Sequence, residues 1–552
     1  MSKPYQTHIG SFTRKSTFFW ASVGATVGLA NLWQFPYLAS LHGGGLFIML
    51  YLACLLLVTL PLMVTEAAIG RYSRHGIVLA MDGFIRAVKS SRWWMLAGRL
   101  SILAAFLVLS YTAVFGSIAL AYMFWGAIGR FTGADQAQVT ATLAGLVSDP
   151  RRYQEFMGWH ALFLILVVWV SVKGVVNGLE RTLRVVVPGT LILMLGLFVL
   201  AVWQGGFEGA SGHILAMHPE NLSLDSLKVA LFHAFFTLGL GMGVWAIFGS
   251  YTAPGTHLKR SILAAVLMDT LVAIVAGLTV YAVATDGGAM GSERGFGLLF
   301  VSLPVTLGQV PGSQFVIAAV FLLVVMIVWT SSLSLMEPVV GWFREWTGAP
   351  RNWTVMLVGS GVWLVGLGSL LSLNLWADDR YAGATLFRWL ELLTGGLMIP
   401  VVAILVALFT GWCMTRSLSQ RVLGYPPRAF SAIWFWVMRL VLPVVVAFIG
   451  IQYTVSSLVD LCETGSNAVW CGHPGPAVQA GGEDAGMSAP EPEEDKPVPE
   501  PEESSDTSPK ASVPARDKGN SSMRASEPGT APQDLQLEDN APNDGDILYH
   551  SV

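Results

Sequence analysis

GATVGLANLWQFP, residues 24–36, sits inside a long apolar segment, with FFWASV before it and YLASL after it. Three polar side chains (Thr26, Asn31, Gln34) and two glycines interrupt what would otherwise be a membrane helix. In hydrocarbon a broken helix leaves N–H and C=O groups unpaired, at several kcal/mol each. Breaks therefore persist only where they are buried in protein or line a wet cavity. A second interruption, FFTLGLGMG, falls at residues 235–243. Paired interruptions in the two halves of a membrane chain point to a site for a solute and an ion near the bilayer midplane.

Composition agrees with a membrane chain. Of 552 residues, 53% are hydrophobic and only 12% charged, about half the charged share of an ordinary soluble protein. Mean hydropathy is +0.58. Apolar runs near the ~20 residues needed to cross a bilayer recur. We read eleven, at 17–42, 45–70, 93–127, 157–173, 182–203, 226–252, 258–285, 312–343, 352–375, 384–413 and 430–458. The fold expected is an all-α polytopic membrane protein. Residues 293–312 are apolar but too short and too broken by Pro and Gly to span, and read as a loop that dips into the protein.

Loop bases set orientation. Arg71, Arg74, Arg86, Lys89, Arg92 and Arg99 crowd the loop after the second span, and alternate loops repeat the pattern more weakly. This places the N-terminus in the cytoplasm. An odd span count then puts the C-terminal tail outside, in a multi-pass protein of the inner or plasma membrane. No cleavable signal is expected, because the first 16 residues are polar and lead directly into the first span.

The division expected is a membrane domain over residues 1–472 and a tail over 473–552. The tail carries 17 acids against 5 bases and is rich in Pro, Glu and Ser. Such a segment cannot bury enough surface to offset its chain entropy, so disorder is expected. Cys54 and Cys413 lie in or beside apolar runs and read as inert thiols. Cys462 and Cys471 flank a polar loop and would pair in an oxidising space, or stay two separate thiols otherwise.

A cation site in a membrane wants hard oxygen ligands on backbone not committed to helix. The first break supplies Asn31 and the carbonyls near Gly24, Thr26 and Val27; the second supplies Thr237. Asp269 falls in mid-span seven, where a carboxylate is costly unless paired or solvated. It therefore wants a cation or a proton. Thr330 and Ser331 in span eight either join such a site or bond their own helix four residues back. Glu66 in span two reads as a structural acid, accepting from N–H groups bared at the breaks. There is no nucleotide loop, metal-ligand cluster or nucleophile–base pair, so neither an enzyme nor a cofactor is expected.

In order and spacing, VGLANLWQFPY (27–37), HGGGLF (42–47), PLMVTEAAIGRY (61–72), AFFTLGLGMG (234–243), SY (250–251), FVSLP (300–304), TSS (330–332) and GW (411–412) resemble the bacterial branch of the neurotransmitter:sodium symporter family, over residues 12–456. Gly178 and Pro188, with nine residues between them, match a family feature that lets the cytoplasmic half of span five unwind. The resemblance implies a LeuT-type fold, with spans 1–5 and 6–10 as inverted repeats and span eleven peripheral. It implies a first sodium site from Thr26, Asn31, Thr237 and Asp269, and a second from carbonyls of Gly24, Val27 and Ile327 with the side chains of Thr330 and Ser331. Substrate would be lined by Thr26, Gly28, Ala30, Val108, Tyr111, Thr112, Phe236, Gly239, Met242, Ser331 and Leu335. Gln34 with Glu391 would form an outer gate, and Tyr251 with Glu345 an inner one.

The chain departs from the family pattern at several points. Gln34 stands where an arginine is usual, Ala30 for a glycine, Thr112 for a carboxylate-binding tyrosine with Tyr111 beside it, and Ile9 for the inner-gate arginine, with His8, Arg14 and Lys15 nearby. At the positions that hold chloride in animal members stand Tyr51, His233, Thr237, Asp269 and Ala273. The fixed charge of Asp269 would repel an anion there, so chloride-independent transport is expected. The function implied is sodium-coupled symport of a small zwitterion, an amino acid or a derivative, by alternating access. Partners expected are that solute, Na+ and the lipid bilayer, with no nucleic acid and no obligate protein. Proton coupling on the same fold, or a sensor or channel, are the alternatives.

Overall fold

The computed structural model describes residues 9–203, 206–286, 296–377 and 384–463, apart from the side chains of 284–286 and 460–463. The Cys462–Cys471 pair, His8 and the 473–552 tail lie outside what is described. Helices dominate, and Gly44 and Met217 form an isolated bridge.

The first span is two helices, α1 (Thr17–Thr26) and α2 (Gln34–Leu41), as the polar interruption requires. Next come α3 (Gly45–Ser73), α4 (Arg92–Ala127), α5 (Tyr153–Val172) and α6 (Val175–Trp203). The sixth span is again two helices, α7 (Leu224–Phe236) and α8 (Val244–Tyr251). Then follow α9 (Leu258–Asp286), α10 (Leu298–Gly308), α11 (Ser313–Thr347), α12 (Arg351–Leu371), α13 (Leu386–Cys413) and α14 (Arg428–Val459). Nine described helices are long and apolar enough to cross a membrane, and the two broken pairs make eleven crossings. The stretch expected to be a dipping loop holds the helix α10, with Leu298–Leu303 buried.

Several helices widen to π geometry at Leu55–Thr59, Leu298–Ser302, Leu392–Met398 and Val437–Val441. In each case a proline stands two residues on: Pro61, Pro304, Pro400 and Pro443. Proline has no N–H and its ring clashes with the carbonyl four residues back. A wider turn just ahead relieves both problems without ending the helix.

The long helices α4 and α11 pack along each other at the centre, and the two breaks lie against them. The second broken helix is pressed onto α3 through small residues. A Cβ on Gly70 would lie 1.8 Å from the Ala246 carbonyl oxygen, and one on Gly249 would lie 2.0 Å from that of Ala67. Close backbone approach through small residues is how helices associate where no hydrophobic effect drives them together.

Candidate functional site

At the first break the chain leaves α1 through Val27 and Gly28 in extended conformation and makes one tight turn, Leu29–Asn31, before α2. Asn31 holds this geometry in place. Its Oδ1 accepts from Gly28 N at 3.0 Å, and its Nδ2 donates to Asp269 Oδ1 at 3.0 Å. Asp269 is fully buried on α9, and its other oxygen accepts from Tyr51 OH at 3.5 Å. The second break needs three residues with φ between +60° and +73°, and all three are glycines: 239, 241 and 243. A Cβ would strain each. Gly241 N donates to Glu66 Oε1 at 3.1 Å, so a carboxylate on α3 caps a peptide group bared by the break. The Thr237 hydroxyl is buried there, beside Asp269 and Tyr51.

The breaks face each other across a cavity. All eleven residues expected to surround a substrate stand on its wall: Thr26, Gly28, Ala30, Val108, Tyr111, Thr112, Phe236, Gly239, Met242, Ser331 and Leu335. Asn31 and Thr237 join them, as do the unexpected Phe115, Val244 and Val328. Tyr111 and Thr112 both reach the wall despite their neighbouring positions, and the Tyr111 hydroxyl lies 3.3 Å from Thr394 Oγ1. The wall is thus apolar and aromatic on one side, with backbone and hydroxyl groups at the breaks.

Four of the five residues expected at a second ion site are linked in pairs. Thr330 Oγ1 donates to Ile327 O at 3.0 Å, within its own helix. Ser331 Oγ instead crosses to Val27 O of the first break at 3.1 Å. Gly24, the fifth, abuts α6 and α11: a Cβ there would lie 2.9 Å from Val187 and 3.4 Å from Thr330.

The residues expected at the two gates differ from expectation in their partners. Gln34 and Glu391 do share the wall of a smaller cavity with Phe236 and Tyr453. The ion pair of Glu391, however, is with Arg388, one turn earlier on α13, at 2.8 Å and buried. On the opposite side Tyr251 does not pair with Glu345. Its hydroxyl donates to Glu337 Oε2 at 2.9 Å. Glu337 is fully buried and is held by Arg351 and by Ser171 Oγ. Glu345 instead accepts from Gly76 N at 3.0 Å and pairs with His75 at the same distance. The reason is helical register: residue 337 lies over two turns nearer the buried middle of α11 than residue 345, level with the Tyr251 hydroxyl. Ile9 is buried, and its carbonyl accepts from Arg344 at 3.2 Å.

Glu180, also unforeseen, closes the wide turn Val175–Glu180 that opens α6. It accepts from Thr13 N (2.7 Å), Thr13 Oγ1 (2.9 Å), Arg14 N (3.2 Å) and Thr17 Oγ1 (2.7 Å). The start of α1 is thereby tied to α6. Tyr453 of α14 stacks on Phe232 at 5.1 Å between ring centres and lies 5.9 Å from Phe236. The span expected to be peripheral thus contributes a ring beside the cavity.

Comparison with known proteins gives a consistent result. The model of the Sodium:neurotransmitter symporter family matches residues 10–132 and 154–467. An uncharacterized sodium-dependent transporter, YhdH of Bacillus subtilis, is 30% identical over 441 residues, which is 79% of this chain and 95% of that protein. One from Haemophilus influenzae is 24% identical over 80% of this chain and 97% of its own length. The crystal structure of MhsT in complex with L-phenylalanine superposes with a TM-score of 0.70 at 26% identity, over 80% of this chain and 99% of MhsT.

Proposed function

The chain belongs to the sodium:neurotransmitter symporter family, whose members are membrane transporters and not enzymes, and on that premise we propose that it carries an apolar amino acid together with Na+ by alternating access. The observation that carries this reading is the cavity between the two breaks, whose wall holds the bared backbone of both. The N–H groups that open a helical turn have no intrahelical acceptor. Those of the Leu29–Asn31 turn suit a carboxylate. Val108, Phe115, Met242, Val328 and Leu335 offer an apolar berth for the side chain, in keeping with the phenylalanine bound by MhsT. Thr112 leaves more room than a tyrosine would, and Tyr111 is engaged with Thr394.

Na+ at a first site would be held by the Thr26 carbonyl, Asn31, Thr237 and Asp269. The Thr237 hydroxyl lies buried beside Asp269, where its oxygen could join such a ligand set. A second Na+ would sit among the carbonyls of Gly24, Val27 and Ile327 and the hydroxyls of Thr330 and Ser331. Two of those contacts already bridge α1 and α11 or brace the latter. Filling the site would fix α1 against α11. Its loss would free α1 to move with α6. Glu66 supports the second break. Phe236, Gln34 and Glu391 close one side, and Tyr251 with Glu337 the other. Residues 1–472 form the transporter domain, with the N-terminus cytoplasmic.

A tenfold Na+ gradient supplies about 1.4 kcal/mol per ion, and a charge crossing 100 mV about 2.3 kcal/mol. Two ions supply roughly 7 kcal/mol, enough for about a 10⁵-fold gradient of a neutral zwitterion. The test is a thermal-shift screen of amino acids, then uptake into proteoliposomes. Uptake of an apolar amino acid should require Na+ and stop when choline replaces it. Full uptake in choline would refute sodium coupling and favour protons.

A further inference from the structure

A cavity of about 700 Å³, open to solvent, lies away from the breaks, between the end of α3, the loop after α8, the start of α9 and the short helix Arg416–Val422. Arg71, Lys259, Arg260 and Arg421 line it, with Arg74 and His257. No carboxylate lines it among the described residues, and none of those first four bases has an ion-pair partner there. Arg71 makes one bond, Nη1 to Thr256 O at 2.9 Å. Concentrated, uncompensated positive charge raises the local concentration of anions.

The floor and the rim narrow the choice of anion. Val64, Ala68 and Leu258 give the cavity an apolar floor. α14 lies against α3 here, with Trp434 Nε1 donating to Thr65 Oγ1 at 2.9 Å. The ammonium of Lys259 sits 5.2 Å from the Phe430 ring centre. From Phe430 the exposed face of α14 continues through Ile433 (65% exposed) and Trp436 (64%). A basic mouth therefore runs into an apolar, outward-facing strip. That arrangement matches a molecule with an anionic head and a hydrocarbon tail, and basic pockets between membrane helices bind such headgroups.

We propose that this cavity binds the phosphodiester headgroup of an anionic glycerophospholipid, with one acyl chain laid along the outward face of α14. Arg71 and Arg74 also hold the segment below α8: Arg74 Nη1 donates to Ser250 O at 3.1 Å and Thr252 O at 2.6 Å. The headgroup would therefore bear on the stretch that contains Tyr251.

The test uses the full chain in detergent, titrated with dioleoylphosphatidylglycerol or dioleoylphosphatidylcholine and read by native mass spectrometry. Phosphatidylglycerol should bind more tightly. The triple variant Lys259→Gln, Arg260→Gln, Arg421→Gln should weaken it by about fivefold per base removed and leave phosphatidylcholine unchanged. The control triple variant Lys89→Gln, Arg92→Gln, Arg99→Gln, outside the cavity, should keep the preference. Equal loss in the control would mean diffuse surface attraction and overturn the site. Competition by soluble glycerol 3-phosphate as strong as that by the lipid would overturn the lipid assignment. If the triple variant does not fold, Arg260→Gln and Arg421→Gln are measured singly, and unchanged lipid affinity in both refutes the proposal.

Discussion

Replacing Glu180 with alanine tests whether the start of α1 is truly fastened to α6. Four donors converge on this buried carboxylate. Three of them belong to Thr13 and Arg14, which are exposed, so water takes over those bonds. Thr17 is fully buried, and its hydroxyl has no such substitute. Losing one buried bond to a charged acceptor costs about 1.5–3 kcal/mol. Losing an anion from a helix N-terminus adds about 0.3–1 kcal/mol. The sum, about 2–4 kcal/mol, favours opening of the segment by roughly 30- to 700-fold. Hydrogen exchange in lipid nanodiscs reads this directly. Amides of residues 13–17 should exchange faster by that factor, while those of α11 stay as they were. Glu180→Gln, which keeps the acceptor shape without the charge, should show a smaller effect. Unaltered exchange at 13–17 in a folded alanine variant would refute the fastening.

Other outcomes follow from the same contacts. Asp269→Asn removes the one full charge beside the expected first ion site. At ~4 Å and an effective dielectric near 20 that charge is worth up to about 4 kcal/mol, so the half-saturating Na+ concentration in a fluorescence titration should rise by up to roughly 10³-fold; an unshifted midpoint refutes the placement. Gly70→Ala puts a methyl 1.8 Å from the Ala246 oxygen and should abolish monodisperse protein on size-exclusion chromatography. Gly83→Ala, with open space around it, should be neutral or stabilise by up to about 1 kcal/mol. Arg351→Met strands the buried Glu337 charge and should cost about 3–5 kcal/mol, seen as a lower Tm that Glu337→Gln partly restores. Substituting gluconate for external chloride should leave uptake unchanged, because Asp269 already supplies negative charge; collapse of uptake would contradict that.

Much of this site could be read in the sequence because its residues violate a local rule. Asn31, Asp269 and Glu66 are polar groups in apolar runs, and the glycines at 239–243 have no place inside a helix. The pairings were harder. Tyr251 and Glu337 are 86 positions apart, and Glu180 lies 163 positions from Thr17. Nothing in either neighbourhood names its partner. Glu337, in LSLMEPVV, carried the same signal as Glu66, a carboxylate within an apolar span, and could have been singled out on that ground. Arg388 reads as a loop base at the edge of its span, and only the helix start at Leu386 places it one turn before Glu391. Tyr453 gives no local sign, since an aromatic residue in a membrane helix is unremarkable until its neighbours are known.

Phe236 is wedged among Phe232, Phe235 and Tyr453, with ring centres at 4.5, 5.2 and 5.9 Å. Those rings crowd one side of it while its other side faces the two cavities, so a swing toward α14 strikes Tyr453. Uncovering the pocket by that swing would displace Tyr453 as well and make the eleventh helix a moving part of the machine. A spin label at Ile451 or Val455, both facing outward, should therefore change its distance to a fixed point on α11 each time the chamber opens.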